Sequence, residues 1–232
     1  MKIAIMQPTF VPWAGYFGLI SYVDKFIFLD DVQFDRRSWQ QRNKIFENNK
    51  AVFLSTPVIN KNLRNQKINE AKIDTKSKLK KKFIKRLLQN YSKAKYYDQY
   101  NHFFEKILNK EFQYLSDMNI FLIKELCKIV KIHTQFYKSS EIYSKGAKSE
   151  KLINICENFK AKEYVAVDGS KSYLEDDKIL FKKKKVQITY FDYKETEYPT
   201  FYNKFIPKLS IIDLIFNCGL NSKKIILNGI KN

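Results

Sequence analysis

Residues 2–30, KIAIMQPTFVPWAGYFGLISYVDKFIFLD, are the stretch that decides the fold. An apolar run at 2–6 is followed by a polar turn at 7–9, and a second apolar run lies at 25–30. Between them, apolar residues recur at helical spacing across 12–23. Strand, turn, helix and strand within about thirty residues predict a βαβ unit, whose strands are parallel and joined by a right-handed crossover.

The rest of the chain continues this α/β pattern around one helical block. Further strands are predicted at 51–55, 163–167 and 186–190, and further helices at 149–159 and 210–217. Residues 77–130 contain no Gly or Pro and show helical periodicity throughout, which predicts three helices packed together. We therefore predict an α/β fold with a Rossmann-like parallel sheet, built from residues 1–75 and 135–232, and an all-helical insertion at 76–134.

Composition narrows the class of protein. The 232 residues are 44% hydrophobic, which is enough for one sizeable domain, and they include three widely spaced cysteines and two histidines. We therefore expect no disulfide framework and no metal site, and the few, widely spaced cysteines are typical of the reducing cytoplasm. We also expect no tightly bound cofactor. No apolar run is long enough for a membrane span, and the amino-terminal run is too short for a signal peptide.

The formal net charge of +19 raises the question of a negatively charged partner. Lysines concentrate at 76–86 and 182–185, but neither run carries the interleaved Gly and aromatic residues of an RNA-recognition sheet. We interpret the charge first as a solvated surface and second as a surface for an acidic protein. A nucleic-acid partner is not predicted.

Three polar clusters follow predicted strands: the turn at 7–9, residues 29–43, and the turn that begins at Asp168. Ligands of open α/β sheets bind at the carboxyl ends of the strands, so the three clusters are predicted to meet at one edge. Each also has a structural interpretation, respectively a tight strand-helix turn, a capped strand end and an ordinary βα turn. The predicted substrate-binding residues are Gln7, Trp13, Tyr16, Gln33, Arg37, Ser38, Trp39, Arg42, Asn43, Asp168, Lys171 and Tyr173.

The residue types at this edge suggest separate roles. Adjacent carboxylates such as Asp30 and Asp31 need partners or solvent, and Asp31 or Asp30 is the predicted general base. Arg37 and Arg42 are predicted to bind a diphosphate, because guanidinium groups bind phosphate in a bidentate manner. The residues predicted to stack on a base or sugar ring are Trp39 and Trp13.

In combination, these residues resemble the WbqC-like family. The matching segments are MQPTFVPWAGYFGLI (6–20), FLDDVQFDRRSWQQRNKI (28–45), STPV (55–58), SSEIYSKGAKSEKLINIC (139–156), AKEYVAVDGSKSYL (161–174) and FIPKLSIIDLIFNCG (205–219). Members of that family are found among bacterial O-antigen and surface-polysaccharide (lipopolysaccharide) biosynthesis functions. The resemblance therefore implies work on activated sugars in the cytoplasm, and on nucleotide-linked amino sugars in particular.

A second resemblance concerns the first βαβ unit. Its layout is similar to that of pantothenate synthetases and other members of the nucleotidyltransferase superfamily, which carry a His-x-Gly-His signature that stabilises the triphosphate. Trp13 and Tyr16 stand in the two histidine positions of this chain. Neither side chain can neutralise the charge at a pentacovalent phosphorus, so we predict that the scaffold is retained and that adenylyl transfer is lost.

The function predicted from these observations is N-acyl transfer to the amino group of a nucleotide-linked amino sugar, with an acyl thioester as co-substrate. The thioester is carried either by coenzyme A or by a carrier protein, and a basic protein suits an acidic acyl or peptidyl carrier. Two alternatives stay open. One is a nucleotidyltransferase or ATP-dependent amide ligase on the same scaffold, and the other is a non-catalytic sugar-nucleotide-binding protein of a polysaccharide assembly complex.

Overall fold

The computed structural model describes residues 1–59, 63, 65–76 and 78–231, without the side chains of Leu79, Lys80, Leu108 and Tyr173. The strands are β1 (Lys2–Met6), β2 (Lys25–Phe28), β3 (Arg42–Glu47), β4 (Lys50–Ser55), β5 (Gln135–Lys138), β6 (Glu163–Val167) and β7 (Gln187–Phe191). The helices are α1 (Ala14–Tyr22), α2 (Leu79–Tyr91), α3 (Tyr97–Asn109), α4 (Leu115–Ile129), α5 (Lys148–Asn158), α6 (Lys171–Lys183), α7 (Ile211–Cys218) and α8 (Ser222–Asn228).

Five strands form one parallel sheet in the order β5-β2-β1-β6-β7. Ile3 of β1 lies opposite Lys25 of β2 on one side and Tyr164 of β6 on the other. The chain therefore builds outward from β1 in one direction and then in the other, which is the Rossmann arrangement. The predicted α/β class with a Rossmann-like parallel sheet is confirmed.

Side chains alternate between the two faces of the main sheet, and both faces are covered by helices. Ala4 and Phe26 face a large core that contains residues of α1 to α4, α7 and α8, whereas Ile3 and Ile27 face a smaller core under α5 and α6. Successive strand side chains point to opposite faces, so the apolar run of β1 supplies both cores. Complete burial of one large apolar side chain such as Phe17 contributes about 1.5–3 kcal/mol.

The helical block predicted at 77–130 forms α2, α3 and α4, with Ser77 itself outside the described residues. These helices share the large core with the α/β part of the chain, and Phe104 of α3 contacts Phe216 of α7 with ring centroids 4.9 Å apart. The division into residues 1–75 plus 135–232 and an insertion at 76–134 stays a prediction. Within the described residues, no helix has both the length and the apolar character that crossing a membrane requires.

Two strands, β3 and β5, were not predicted from the sequence. The prediction placed residues 42 and 43 in a loop, but β3 pairs with β4 as an antiparallel hairpin outside the main sheet. Its two-residue turn is Asn48-Asn49, with φ angles of 51° and 59°, and paired left-handed residues are typical of hairpin turns in which Asn is favoured. The edge strand β5 is only four residues long and follows the helical block directly, so its pattern is too short to stand out.

Candidate functional site

A cleft of about 380 Å³ opens where the sheet order reverses, at the carboxyl ends of β1 and β6. Ligands of Rossmann-type sheets bind at this switch point. The cleft is lined by apolar residues from the sheet and α1 and by polar residues from the following loops. They are Ile5, Met6, Gln7, Thr9, Leu19, Leu29, Asp35, Ser38, Trp39, Gln40, Tyr164, Val165, Val167 and Ser170.

Hydrogen bonds hold the polar wall of the cleft in one arrangement. The Gln40 side-chain amide donates to Gln7 Oε1 at 2.8 Å, and Gln40 Oε1 accepts from the backbone N–H of Asp35 at 3.0 Å. Ser38 Oγ donates to the Asp35 carbonyl at 2.6 Å. The Thr9 hydroxyl is buried and has no hydrogen-bond partner among the described residues. Because an unpaired buried hydroxyl is costly, Thr9 is a natural contact for a polar ligand atom.

An aromatic ledge stands at the mouth of the cleft. The Trp39 side chain is 50% exposed, and its ring centroid lies 5.9 Å from that of Phe53 on β4. Arg42 places its guanidinium 4.2 Å from the Phe53 centroid, and Lys44 places its ammonium 5.9 Å from Trp39. Trp39 therefore offers an open face on which a base or a sugar ring can stack.

A second cavity of about 350 Å³ adjoins the cleft, and the walls of both contain Ile5, Leu29 and Tyr164. Its remaining lining includes Lys148 and Lys151, which belong to the first turn of α5. The amino-terminal end of a helix favours anions, and two ammonium groups add to this effect. We call this cavity the lysine recess.

Asp31 lies next to the lysine recess and not in the cleft wall. Its carboxylate binds Lys151 Nζ at 2.5 Å and accepts a hydrogen bond from Ser139 Oγ. Burial raises the pKa of Asp31, but the hydrogen bonds from Lys151 and Ser139 outweigh it and leave the pKa below its ordinary value. The carboxylate is thus a paired anion that fixes Lys151, which makes it a weak proton acceptor.

Asp30 is buried and fully engaged. Its carboxylate accepts hydrogen bonds from Ser139 Oγ, from the Ser140 backbone N–H and from Ser140 Oγ, at 2.8–3.2 Å. These contacts tie the end of β2 to the turn after β5, and Asp30 is absent from the described lining of the cleft. The arrangement matches the structural interpretation of this residue.

The start of α1 is closed. Tyr16 is buried and donates its hydroxyl to the Gln7 carbonyl at 3.0 Å, beneath the cleft. The Trp13 indole lies over Gly15 and packs edge-on against Tyr193 at 5.4 Å. The first turn of α1 is therefore buried, and it does not form the open phosphate site that a strand-helix turn could provide.

The other predicted site residues lie in the loop after β2, at the start of β3, and in the turn and helix that follow β6. Asn43 is buried and donates to the carbonyls of Phe10 and Val11, so it supports the turn that carries Thr9. The remaining residues lie outside the described lining of the cleft and the lysine recess, with Tyr173's side chain outside the described part. Exposed among them are Gln33, Arg37, Asp168 and Lys171.

The comparisons with known proteins agree with the resemblance seen in the sequence. The model of the WbqC-like protein family matches residues 7–225. The chain belongs to the WbqC-like family. One relative is the uncharacterized protein Rv1507c of Mycobacterium tuberculosis, 34% identical over 220 residues, which are 94% of this chain and 94% of the relative. No solved structure matches the chain.

The WbqC-like match begins at Gln7, the first residue after β1, and includes the polar wall of the cleft and the lysine recess. Sequence reasoning found Gln7, Ser38 and Trp39 in that wall. Four more polar lining residues of the cleft lie in the three predicted polar clusters but were not named as site residues: Thr9, Asp35, Gln40 and Ser170. Outside all three clusters lie two charged residues of the recess, Lys148 and Lys151. The Lys145-Gly146 pair before a predicted helix was a usable signal for the last two, since it marks a helix start near charged residues.

Proposed function

We propose that this WbqC-like protein is an N-acyltransferase of surface-polysaccharide biosynthesis. It transfers an acyl group from a thioester, carried by coenzyme A or an acidic carrier protein, to the amino group of a nucleotide-linked amino sugar. Family membership supports a role related to polysaccharide biosynthesis. The reaction and the substrate are supported by the arrangement of the two adjoining cavities.

The observation that carries the proposal is the pairing of an aromatic ledge with a cationic recess across one switch-point cleft. A nucleotide-linked sugar consists of an aromatic base, a diphosphate and a sugar ring. Trp39 offers the stacking face, and Lys148 and Lys151 at the start of α5 offer the positive charge. The polar wall that contains Gln7 and Gln40 lies in the cleft, where the sugar would bind.

Acyl transfer requires one bond to form and one to break. The sugar amine attacks the thioester carbonyl carbon, the C–N bond forms, and the C–S bond breaks to release a thiolate that takes up a proton. One N–H proton passes to a carboxylate, and we assign this role to Asp35, a residue of the cleft lining. We assign to the Thr9 hydroxyl, which has no partner among the described residues, the donation of a hydrogen bond to the oxyanion of the tetrahedral intermediate. Asp31 then acts as a positioning residue that holds Lys151.

Mass spectrometry of a reaction mixture tests this proposal. Purified protein is incubated with UDP-linked and dTDP-linked amino sugars and, in separate reactions, with acyl-CoA thioesters or with the corresponding free carboxylic acids, in the presence and absence of ATP. An acylated nucleotide sugar formed without ATP supports the proposal. Product that requires ATP, with release of pyrophosphate or ADP, would support the ligase instead. Saturable binding of a nucleotide sugar without any product would support a binding protein.

A further inference from the structure

A third cavity, of about 290 Å³ and separate from the other two, lies between the helical block and the segment that precedes it. Its interior is largely apolar, and its edge carries more cations than anions. The apolar residues are Phe10, Ile73, Phe83, Ile107, Phe112, Met118 and Leu122. The charged residues are Lys76, Lys78, Lys81, Lys110, Asp74 and Glu111. We call it the helical pocket.

A buried hydroxyl in the wall of the helical pocket lacks a partner. Thr56 is 0% exposed, and its Oγ1 has no hydrogen-bond partner among the described residues. The residue lies beside the lysine-bearing segment, because the backbone N–H of Asp74 donates to the carbonyl of Pro57 at 3.0 Å. Since buried polar groups are normally paired, this hydroxyl indicates a ligand with a hydrogen-bond acceptor at that end of the pocket.

We infer that the helical pocket binds an aliphatic carboxylate. The carboxylate accepts a hydrogen bond from the Thr56 hydroxyl and faces the ammonium groups of Lys76, Lys78 and Lys81, while the chain lies against the apolar residues of α3 and α4. Asp74 keeps its negative charge, and its carboxylate accepts a hydrogen bond from the Lys76 backbone N–H at 3.1 Å, so an anion is favoured only by the excess of lysines. Lysines outnumber carboxylates by four to two around the described wall, which selects an anionic head group.

The volume sets the length of the chain. A dry cavity of about 150 Å³ binds benzene, so the helical pocket suits roughly ten to twelve non-hydrogen atoms. Octanoate and decanoate have this size. The helical pocket is distinct from the switch-point cleft. The turn at 8–10 lies between them, with Thr9 in the lining of the cleft and Phe10 in the lining of the helical pocket.

Isothermal titration calorimetry with three eight-carbon probes tests the inference. Octanoate, octan-1-ol and octylamine carry the same chain with an anionic, a neutral and a cationic head, and each is titrated below its micelle concentration. We expect saturable binding with one site and the affinity order octanoate, octan-1-ol, octylamine. Equal affinities for the three probes, or no saturable binding of octanoate, would overturn the inference.

Variants locate the site. Thr56→Val keeps the side-chain shape and is expected to weaken octanoate binding by about tenfold or more, the scale of a hydrogen bond to a charged group. The matched control is Tyr193→Phe, which removes another buried hydroxyl that has no partner among the described residues and is expected to leave the affinity within about twofold. Octanoate binding that is equal in both variants would place the ligand elsewhere.

A charge reversal on the exposed edge gives a second, independent test. Lys81→Glu combined with Lys110→Glu is expected to weaken octanoate binding by about tenfold and to leave octan-1-ol binding unchanged. Lys182→Glu combined with Lys183→Glu on α6 is the control, with the same change in net charge. If both double variants lose the same affinity, the effect is one of overall charge and the pocket assignment is wrong.

Discussion

Asp213 on α7 gives a prediction that can be worked out from the structure. Its side chain is completely buried, and it accepts hydrogen bonds from the hydroxyls of Tyr198 and Tyr202 at 2.8–3.1 Å and from Asn217 Nδ2 at 3.2 Å. Burial raises its pKa from 3.8 to about 6, although the hydrogen bonds from Tyr198, Tyr202, Tyr91 and Asn217 act in the opposite direction. The folded protein therefore holds a proton on Asp213 that the unfolded chain releases at a lower pH.

The sign and size of the effect follow from that difference. A carboxyl whose folded-state pKa is raised stabilises the fold fully below the unfolded pKa, and this stabilisation is lost as the pH rises through about 6. A difference of about two pKa units corresponds to about 3 kcal/mol at most. Asp213→Asn removes the titration and keeps an oxygen that can accept both tyrosine hydrogen bonds to Oδ1. Between pH 4 and pH 7, the unfolding free energy of the parent is therefore expected to fall relative to the variant by about 2–3 kcal/mol.

Urea denaturation of both proteins, followed by circular dichroism at several pH values between 4 and 7, measures this difference. Other carboxylates titrate in the same range, so only the difference between parent and variant is informative. Asp176→Asn, which removes an exposed carboxylate on α6, serves as the matched control. Its unfolding free energy should change with pH in the same way as that of the parent. If the difference in unfolding free energy between the parent and Asp213→Asn is the same at every pH, the raised pKa of Asp213 is refuted.

Three further predictions concern the switch-point cleft and the adjoining lysine recess. Trp39→Ala should weaken nucleotide-sugar binding by about 1–3 kcal/mol, the scale of base stacking on an aromatic ring, whereas Trp39→Phe should retain most of it in calorimetric titrations. Lys151→Met should weaken the same binding by about 1.5–3 kcal/mol, and Lys182→Met on α6 should not; equal losses would remove the lysine recess from the site. Asp35→Asn should lower kcat for acyl transfer by about 10²–10⁴-fold with little change in KM, and an unchanged rate of product formation would exclude Asp35 as the base.

The fold could be predicted from the sequence wherever local patterns were strong. The run at 2–30 specifies a βαβ unit, and the predicted strand at 163–167 coincides with β6. The hairpin β3–β4 was missed because Arg42 and Asn43 look like ligand-binding residues when they are read without their strand partners. Local periodicity does not show which distant strands pair with one another. The short strand β5, which follows the helical block and pairs with β2, was therefore also missed.

The site was predicted less completely, because side-chain partners depend on tertiary contacts. Asp30 and Asp31 are adjacent in sequence, yet one is buried under Ser139 and Ser140 and the other is paired with Lys151, which is 120 residues away. No spacing rule connects Asp31 with Lys151. The sequence could show that polar residues follow the strands, but it could not show which of them the fold would use to pack its own loops.

The changes at the signature positions and the location of the cleft are connected. In the nucleotidyltransferase layout, two histidines at the start of the first helix bind phosphate, which requires that end to be open. In this chain Tyr16 is buried under Gln7, and Trp13 covers Gly15. The start of α5, by contrast, lines the lysine recess that adjoins the cleft, and there Asp31 holds Lys151 in place. We therefore expect no adenylyl transfer at α1, and under the proposed function the diphosphate binds toward the lysine recess.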